Sequence, residues 1–410
     1  MKKVCVLGMG YMGLPTACLL AGAGYKVLGV DVNPEKIKQL KLESFKTTEP
    51  GLIELFKKAL KTKNISFSTK IEKADFFVIA VPTPAINQKI DLKYVRSATN
   101  MIADVLENGN LVILESTVAP NVSRKILKKI LDKKNKNYFL SHCPERAIPG
   151  NTLYELINND RIIGGIDEKS AEMTKEIYSK FVKGKIYLTE ITTAETVKLL
   201  ENSFRDINIA FANEIAKLSG KIGIDPWEAI ELANKHPRVN ILNPGPGVGG
   251  HCISVDPWFL IQDDPESRFI RLARNINDSM PSYVVRLLLK NLEKETAKIA
   301  ILGIAYKANV DDPRETPAEK VYNILKVIGY KVMATDPYVK KYEFKIHDIN
   351  KTLRNADAVI LVTDHDEYKN MDFKKYKLKC FIDTRHCINA KQLHKTTKLI
   401  TFGNENRDIS

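Results

Sequence analysis

Short apolar runs alternate with amphipathic segments over the first half of the chain. The runs KVCVLG, YKVLGVD, DFFVIAV, LVILES and NYFLSH begin at residues 3, 25, 75, 111 and 137, and each has the length and composition of a buried strand. Apolar residues at helical spacing lie between them, as in LPTACLLAGAG from residue 14. Buried strands that alternate with amphipathic helices predict a parallel sheet covered on both faces.

The same pattern starts again at residue 298. KIAILGIAYK resembles the opening KVCVLGMGYM, and YKVMATDPY from residue 330 resembles YKVLGVDVN from residue 25. ADAVILVTDH from residue 356 and CFIDTR from residue 380 are further strand candidates. The chain is therefore expected to contain a second α/β domain, which lacks the full glycine pattern of the first.

The segment between these halves is helical. Residues 192–223 carry apolar positions at helical spacing, with no proline and no glycine before Gly220. This length exceeds the roughly 8–20 residues of ordinary globular helices, and such connecting helices often carry a dimer interface. We predict an α/β fold with two Rossmann-like doubly wound domains joined by a central long-helix domain, at residues 1–190, 191–295 and 296–410.

The charge balance is basic, with 63 Lys and Arg against 49 Asp and Glu and a net charge of +14. A basic surface suits nucleic acid, an anionic membrane or small anionic substrates. The lysines are widely spread and no aromatic residues interleave with them, which disfavours nucleic-acid binding. No apolar run approaches the roughly 20 residues that span a bilayer, so no membrane association is expected.

The cysteines are scattered at positions 5, 18, 143, 252, 380 and 387, without a C-x-x-C pair. This spacing predicts neither a disulfide framework nor a zinc site, and no metal is expected. The chain opens directly on a strand pattern, without the features of a signal peptide. We expect a soluble, cytoplasmic protein.

GMGYMG at residues 8–13 follows a strand and opens a helix, which is the context of a dinucleotide-binding turn. Gly8 permits the tight turn, Gly10 lets the backbone approach a pyrophosphate, and Gly13 allows the helix to pack closely on the strand. Asp31 ends the next strand, where an acid binds the ribose hydroxyls of NAD and repels the 2′-phosphate of NADP. A glycine turn without a ligand is the alternative.

Thr83 in VPTP and Thr117 in ESTV follow later strands, at the sheet edge where ligands bind. We predict that both contact the cofactor, and turn capping by their hydroxyls is the alternative.

Lys198, Asn202 and Arg205 are spaced i, i+4 and i+7, so they share one face of the central helix. A solvated polar stripe is the alternative for these three residues, but Leu199, Leu200, Phe204 and Ile207 beside them are apolar and place the stripe next to buried surface.

GPGVGGHCISVDPW at residues 245–258 places Cys252 after four glycines and Asp256 four positions later. A surface loop with an inward-packing cysteine is one interpretation. A nucleophile that needs backbone close to its substrate is the other.

Eight motifs, taken in order, resemble those of one family along nearly the whole chain: GMGYMGLP, VPTP, ESTVAP, CPERAIPG, TVKLLENSFRD, HPRVN, NPGPGVGGHCISVDPW and AYKANVDDPRETP. The family is the nucleotide-sugar 6-dehydrogenases, of which UDP-glucose dehydrogenase is the best known. The resemblance implies an NAD-dependent oxidoreductase that oxidises C6 of a UDP-sugar in two steps. HPRVN, NPGPGVGGHC and VDPWF are most similar to the members that act on UDP-N-acetyl-D-mannosamine, with UDP-GlcNAc, UDP-GalNAc and UDP-glucose as alternatives.

The resemblance also assigns catalytic roles. Cys252 is the implied nucleophile, which forms a thiohemiacetal and then a thioester. Lys198 would shuttle a proton or stabilise the developing oxyanion, and Asn202 would donate a neutral hydrogen bond to the same oxygen. Asp256 would pair with the lysine. Glu145 in CPERAIPG is the candidate that activates water, although UDP-glucose enzymes often carry a further acid where this chain has Pro149.

Binding roles follow from the same motifs. Tyr11 and Met12 lie in the implied cofactor turn, and Arg314 in DDPRETP would reach the NAD pyrophosphate. Arg238 is a candidate for acting across the interface of a homodimer. Surface salt bridges and packing remain the alternatives for single arginines and for His236 and His251. The implied UDP-sugar residues are Arg146, Ala147, Lys198, Asn202, Arg205, His236, Arg238, Gly249, Tyr306, Lys307 and Arg385. A non-catalytic dinucleotide-binding or nucleic-acid-associated protein is the alternative from another class.

Overall fold

The computed structural model describes residues 1–47, 49–86, 88–148, 150–292 and 296–404. The chain divides into two compact units. The first comprises Met1–Glu201 and Trp258–Asp263, and the second comprises Asn202–Pro257 and Asp264–Ser410. The predicted boundary at residue 295 lies outside the described residues, and the division into three segments stays a prediction.

Parallel strands form the centre of the first unit. Its strands are β1 (Lys3–Leu7), β2 (Lys26–Val30), β3 (Ile65–Ser68), β4 (Phe76–Ile79), β5 (Ala85–Ile86), β6 (Lys89–Ile90), β7 (Leu111–Leu114), β8 (Phe139–His142), β9 (Arg161–Gly165) and β10 (Ile186–Glu190). Eight of them form a sheet in the order β10-β9-β8-β7-β4-β1-β2-β3, in which only the β8–β9 pair is antiparallel. The remaining pair, β5 and β6, is a small antiparallel hairpin.

Helices connect these strands. They are α1 (Gly13–Gly22), α2 (Pro34–Lys41), α3 (Leu52–Lys61), α4 (Lys93–Val105), a π-helical turn (Ser123–Lys128) continued by α5 (Lys129–Leu131), α6 (Thr152–Asn158) and α7 (Glu168–Tyr178). The long helix α8 (Ile191–Ile222) follows β10 and belongs to the second unit from Asn202 onward. Strands β4 and β7 are buried at every position, as strands with helices on both faces require. Helix α8 has 32 residues and matches the helix predicted at 192–223 within one residue.

The second unit repeats the arrangement on a smaller scale. Its elements are α9 (Pro226–Ala233), α10 (Asp256–Ile261), α11 (Arg268–Asn291), β11 (Lys298–Leu302), α12 (Pro317–Ile328), β12 (Lys331–Thr335), α13 (Ile349–Leu353), β13 (Ala358–Leu361), α14 (Asp366–Lys369), β14 (Cys380–Asp383) and β15 (Lys398–Ile400). Helix α10 starts in this unit and continues into the first. The five strands form one parallel sheet in the order β12-β11-β13-β14-β15. The predicted α/β fold class, with two Rossmann-like sheets and a helical middle, is confirmed.

Each sheet has an acid directly after the second strand of its unit, which is β2 in the first unit and β12 in the second. In the second unit, Asp336 follows β12 and accepts hydrogen bonds from the backbone N–H groups of Ile304 (2.6 Å), Ala305 (2.9 Å) and Val339 (2.8 Å). His365 adds a bond from its Nε2 atom at 3.0 Å, and the Asp336 side chain is completely buried. The turn after β11 is thus held by an acid that is closed to solvent.

In the part of the chain that the structure describes, no helix combines the length and the apolar character that crossing a membrane requires.

Candidate active site

The turn after β1 has the shape that the glycine pattern predicts. Gly8 has a φ of +96°, and a Cβ there would lie 2.4 Å from the carbonyl oxygen of Ala80. A Cβ on Gly13 would lie 1.8 Å from the carbonyl oxygen of Gly8, whereas Gly10 faces open space. Only glycine fits at the first and third positions, and the second leaves room for a group that approaches the backbone.

Asp31 lies beside this turn. Its Oδ2 atom accepts the N–H of Met9 at 3.0 Å, and its Oδ1 atom accepts the N–H of Asn33 at 2.9 Å. Lys36 pairs with the same carboxylate at 3.2 Å. The acid is therefore held at the end of β2, in the position predicted for recognition of a ribose, and helix α1 starts nearby without a side-chain cap on its N-terminus. These residues fit a dinucleotide.

Tyr11 extends from the turn into a hydrogen-bonded cluster that the sequence did not reveal. Its hydroxyl contacts the buried carboxylate of Glu49 and lies 2.7 Å from the Thr152 hydroxyl. Glu49 also accepts the N–H groups of Gly150 at 2.9 Å and Thr152 at 2.6 Å. The cluster ties the cofactor turn to the segment that follows Glu145, although Pro149 itself lies outside the described residues.

Thr83 and Thr117 follow the neighbouring strands β4 and β7, at one edge of the sheet. Ser116 joins their two loops, because its hydroxyl accepts the N–H of Val81 at 2.9 Å and donates to the carbonyl of Val81 at 2.8 Å. Neither threonine hydroxyl has a hydrogen-bond partner among the described residues. Turn capping, the alternative interpretation, has no support in these contacts.

Glu145 and Arg146 lie in the loop after β8. The Glu145 carboxylate accepts the N–H of Ala147 at 2.5 Å. Arg146 binds Glu201 through Nε at 3.1 Å and Nη2 at 2.5 Å, and donates to the carbonyl of Asp160 at 2.8 Å. Arg146, a predicted sugar-binding residue, thus forms a salt bridge with Glu201 of the same unit. Sequence reasoning missed Glu201.

Lys198 is buried on α8, with 7% of its surface exposed. Within the described residues of its own unit, no hydrogen bond or ion pair engages its ammonium group. A buried ammonium group without a partner is costly, so this side chain is suited to an anionic or polar ligand. Its predicted pairing with Asp256 joins residues of different units and stays a prediction.

Asn202, Arg205 and Asp256 lie together in the second unit. Asn202 is fully buried and donates from Nδ2 to Asp256 Oδ2 at 2.5 Å, while Arg205 donates to Asn202 Oδ1. The solvated-stripe alternative is wrong for Asn202. Of the apolar residues expected beside buried surface, Leu199 is buried, but Leu200 and Phe204 are 51% and 66% exposed.

Cys252 lies at the end of the glycine loop and is partly exposed. Its Sγ atom is 3.4 Å from His251 Nδ1, and its carbonyl accepts the N–H groups of Val255 at 3.1 Å and Asp256 at 2.8 Å. These two bonds form the turn that starts helix α10. The inward-packing alternative does not fit, because Cys252 is only partly buried, at a turn beside a histidine.

The glycines of this loop have close neighbours within the protein. A Cβ on Gly249 would lie 2.8 Å from both Tyr306 Cβ and the carbonyl oxygen of Glu315, and a Cβ on Gly250 would lie 2.9 Å from the Tyr306 ring. The missing side chains at positions 249 and 250 thus leave room for Tyr306, and at position 249 also for the Glu315 carbonyl and the Pro317 ring. The approach of this backbone to the sugar stays a prediction.

Tyr306 and Arg314 lie close to the thiol. Burial, together with the charges of Asp312 and Cys252, raises the pKa of Tyr306 to about 12. The Arg314 guanidinium binds the Asp312 carboxylate through two hydrogen bonds, from Nε to Oδ1 at 2.8 Å and from Nη2 to Oδ2 at 2.5 Å. The backbone carbonyl of Arg314 accepts the Gly250 N–H at 2.9 Å. Hydrogen bonding to Asp312 raises the pKa of Arg314 above its ordinary value. Asp312, another residue that sequence reasoning missed, stands only two positions before Arg314.

The remaining predicted sugar residues differ in their surroundings. Arg385 donates from Nε to the carbonyl of Val362 at 2.8 Å, and its Nη1 atom lies 2.8 Å from where a Cβ on Gly245 would be. His236 and Arg238 are exposed after α9, and the Arg238 N–H donates to His236 Nδ1 at 3.4 Å. Lys307 is exposed beside Tyr306. The structure thus brings Arg385, but not His236 or Arg238, to the glycine loop.

Three family models match consecutive parts of the chain. Residues 2–182 match the NAD-binding domain of the UDP-glucose/GDP-mannose dehydrogenase family, residues 192–279 match its central domain, and residues 300–390 match its UDP-binding domain. Together they cover most of the 410 residues.

Individual proteins are similar over the same length. The chain is 51% identical to a UDP-N-acetyl-D-mannosamine dehydrogenase of Methanocaldococcus jannaschii, over 96% of this chain and 94% of that one. A solved structure of a UDP-D-ManNAc dehydrogenase from Pyrococcus horikoshii has a TM-score of 0.92 at 39% identity, over 99% of this chain and 100% of the other. An NDP-N-acetyl-D-galactosaminuronic acid dehydrogenase of Ralstonia nicotianae is 40% identical over 96% of this chain and 97% of its own.

Proposed function

The chain belongs to the UDP-glucose/GDP-mannose dehydrogenase family of NAD-dependent oxidoreductases, and on that premise we propose that it oxidises C6 of UDP-N-acetyl-D-mannosamine to the uronic acid. The reaction consumes two NAD⁺ and one water and releases two NADH. The main support for this substrate is the near-full-length similarity to the UDP-N-acetyl-D-mannosamine dehydrogenase of Methanocaldococcus jannaschii.

The turn after β1 would hold the cofactor. Gly8, Gly10 and Gly13 shape the backbone at the pyrophosphate, and Asp31 would accept the ribose hydroxyls. Tyr11, Met12, Thr83 and Thr117 would line the same site, and Arg314 is a further proposed contact of the pyrophosphate. When bound, NAD⁺ accepts a hydride at its nicotinamide ring in each of the two oxidations.

The first oxidation turns the C6 alcohol into an aldehyde. C6 loses a hydride and its hydroxyl loses a proton, so negative charge develops on that oxygen. Lys198 supplies the cation for it, and Asn202, fixed by Asp256, supplies a neutral hydrogen bond. Prior orientation of Asn202 means that little reorganisation is needed when the charge appears.

The cysteine makes the second oxidation possible. An aldehyde carbonyl has no suitable hydride to release, so the Cys252 thiolate adds to C6 and the oxygen takes up a proton, which gives a thiohemiacetal. Loss of the second hydride from C6 and of the hydroxyl proton yields a thioester. Water, activated by Glu145, then adds to the carbonyl, the C–S bond breaks, and the thiolate and the carboxylate are released.

The substrate pyrophosphate and sugar require cations and donors. Arg385 and Arg205 would serve the UDP group, because a guanidinium binds phosphate oxygens with two parallel N–H groups. The other proposed contacts are Arg146, Ala147, His236, Arg238, Gly249, Tyr306 and Lys307. Similarity to the Ralstonia protein keeps a UDP-N-acetylgalactosamine substrate as the second candidate.

Counting products tests this proposal. NADH formed per sugar nucleotide consumed should equal two with UDP-N-acetyl-D-mannosamine, while UDP-GlcNAc, UDP-GalNAc and UDP-glucose react slowly. Cys252→Ala should lower turnover roughly 10³-fold or more, because the thiohemiacetal cannot form. A ratio of one NADH, or full turnover without Cys252, would contradict the mechanism. Two NADH per molecule of another sugar nucleotide would support the mechanism but contradict the proposed substrate.

Cys387→Ala is the matched control. Cys387 is the other partly exposed cysteine among the six, and burial together with Asp383 raises its thiol pKa to about 12. It therefore stays protonated at neutral pH, and its removal should leave turnover within about twofold. Equal losses from both variants would indicate a general effect of removing a cysteine.

We also propose that the protein is a cytoplasmic homodimer. Phe204, Phe211 and Leu218 repeat every seven residues along α8, which places them on one face, and they are 66%, 50% and 44% exposed. A second copy of the helix would cover this apolar face, which we call the α8 stripe. Six free cysteines suit a reducing compartment such as the cytoplasm.

A further inference from the structure

We infer that four buried polar side chains in the second unit set the position of the loop that carries Cys252 relative to helix α8. They are Asp206, Asn213, Arg274 and Asn277, and we call them the polar relay. Its geometry is independent of the reaction, whereas its catalytic consequence rests on the proposed function. None of its members contacts the predicted reacting atoms, so they are positioning residues.

The relay is a continuous chain of hydrogen bonds. Arg274 on α11 donates from Nη1 to Asp206 Oδ1 at 2.6 Å, and Asn277 donates from Nδ2 to the same oxygen at 2.8 Å. Asn213 then donates from Nδ2 to Asn277 Oδ1 at 2.8 Å. At the far end, Asn213 Oδ1 accepts the N–H of Gly245 at 2.8 Å. The chain therefore runs from α8 to α11, back to α8, and out to the first glycine of the loop.

The acid at its root determines the direction of every bond. An ionised carboxylate only accepts, so Asn277 must turn its NH₂ group towards Asp206. Its oxygen then faces Asn213, which must present its own NH₂ group in return. In this orientation the Asn213 Oδ1 atom faces Gly245 and accepts its backbone N–H. The Asp206 carboxylate, together with the Asp206 backbone carbonyl that accepts the same Asn277 NH₂ group at 2.9 Å, thus orients two amides that could otherwise flip.

Burial makes this orientation strict. All four side chains are at most 1% exposed, so water cannot replace a lost partner. Two of their atoms, Asp206 Oδ2 and Arg274 Nε, have no hydrogen-bond partner among the described residues. Apolar side chains would fill such a space at lower cost. The relay is thus better explained by the position that it imposes than by its contribution to stability.

The loop packs closely where the relay ends. Arg385 passes over Gly245, and Gly247, at a φ of +131°, lies where a Cβ would be 3.4 Å from the Asn277 carbonyl oxygen and from Pro281 Cδ. Pro281 has no N–H to donate to that carbonyl four residues earlier, so α11 presents it to the loop. The relay and α11 together form the surface on which the loop rests.

The relay also shares helix α8 with the candidate catalytic side chains. Asp206 directly follows Arg205, and Asn213 lies two turns further along. Asn202 and Arg205 are therefore fixed by the same helix that holds Gly245 through Asn213. A shift of the loop would move Cys252 relative to Asn202, and misplacement by about 1 Å can cost roughly 100-fold in rate.

Two substitutions at Asn213 test the inference. Asn213→Ala removes both bonds, while Asn213→Asp keeps the shape and the acceptor for Gly245 but turns a second oxygen towards Asn277 Oδ1. Both should lower kcat about 10- to 100-fold with little change in the Kd for NAD⁺. Activity near wild type in Asn213→Asp alone would assign the effect to lost volume and overturn the relay.

Amide exchange gives a readout that needs no turnover. Pro244 and Pro246 carry no N–H, so Gly245 supplies the only backbone amide of residues 244–246 and its exchange can be isolated from overlapping peptides. In Asn213→Ala this amide should exchange about tenfold faster. Unchanged exchange would overturn the relay, whatever sugar the enzyme uses. Faster exchange in a protein that oxidises no UDP-sugar would instead contradict only the proposed function.

Asn110→Ala is the matched control. Asn110 is also buried and bridges two backbone groups, donating to the carbonyl of Ala74 at 3.0 Å and accepting the N–H of Glu107 at 2.7 Å. It precedes β7, at the sheet edge opposite the loops that carry Thr83 and Thr117. Its loss should destabilise the protein by a similar amount and leave kcat and Gly245 exchange unchanged. A kcat loss equal to that of Asn213→Ala would overturn the inference.

Discussion

At the scale of single residues, Tyr306 combines a packing role with a chemical one. Its ring fills the space beside Gly249 and Gly250, and its backbone N–H donates to the Asp312 carbonyl at 3.0 Å. The pKa of its phenol, raised to about 12 by burial, Asp312 and Cys252, keeps the group protonated at neutral pH. The hydroxyl is therefore a stable hydrogen-bond donor close to the thiol.

Tyr306→Phe should separate these two roles. The ring and its packing remain, so we expect kcat to change less than threefold while KM for the UDP-sugar rises about 5- to 10-fold through loss of one hydrogen bond. Tyr342→Phe is the control, because that hydroxyl bonds Glu319 at 2.5 Å in the same unit. Steady-state kinetics with saturating NAD⁺ would measure both. An unchanged KM would show that the hydroxyl does not reach the substrate.

Residues with chemical roles could be predicted from local motifs, whereas the residues that hold them could not. Cys252 and Asp256 stand within one short run, and Asp31 follows a recognisable strand. Glu201, Asn213 and Asn277 carry no such local pattern, because their partners are distant in sequence and are selected by packing. A buried amide or acid can be recognised as a positioning residue only when its neighbours are known.

At the scale of elements, the glycine loop is shaped by its neighbours. Gly245 lies under Arg385, Gly249 lies against Tyr306, the Glu315 carbonyl and the Pro317 ring, and Gly250 lies against the Tyr306 ring. Its conformation therefore depends on packing from several directions as well as on its own sequence.

Gly250→Ala should be far more harmful than an ordinary glycine substitution. Its φ of +78° and the Tyr306 ring at 2.9 Å from the added Cβ force either the ring or the loop to move, so we expect kcat/KM to fall about 100-fold. Gly329→Ala has the same backbone strain, at a φ of +102°, but no atom within 4 Å. It should lose about 1 kcal/mol of stability and keep its activity. Equal activity in the two variants would contradict this prediction.

The strands that the sequence predicted are those with continuous apolar runs. β1, β4, β7 and β13 are buried along nearly their whole length, and their hydrophobic signal is strong. β3 and β10 were missed because they alternate buried and exposed positions or are largely half-exposed at the sheet edges. β15 has only three residues. β9 was missed although it lies inside its sheet, because RIIGG is short and ends in two glycines, whereas the edge strand β12 was predicted. A continuous apolar run thus matters more for the prediction than the position of the strand in its sheet.

At the scale of the whole molecule, the α8 stripe is the feature that a single chain leaves unexplained. Large apolar side chains on one helix face are costly in water, and a regular spacing of seven residues is typical of helix pairing. Association through this stripe would place α8, which also carries Lys198 and Asn202, at the centre of the dimer.

Phe211→Asp should therefore disrupt the dimer. A carboxylate buried in an apolar interface without a partner is strongly unfavourable, so we expect sedimentation at the mass of one chain where the wild type sediments as two. Val327→Asp is the control, because Val327 is 90% exposed on α12 and lies outside the stripe. Dimers that persist in Phe211→Asp would refute pairing through the stripe.

The sealed carboxylate of Asp336 has a consequence for the timing of catalysis. Four backbone N–H groups and His365 surround it, so Asp336 is not available to a ribose. In the proposed mechanism, the pocket around Asp31 then serves both oxidations in turn. Spent NADH would have to depart, and fresh NAD⁺ to arrive, while the half-oxidised sugar waits. The proposed bond to Cys252 would thus also be a tether, whose lifetime must exceed one complete cofactor exchange.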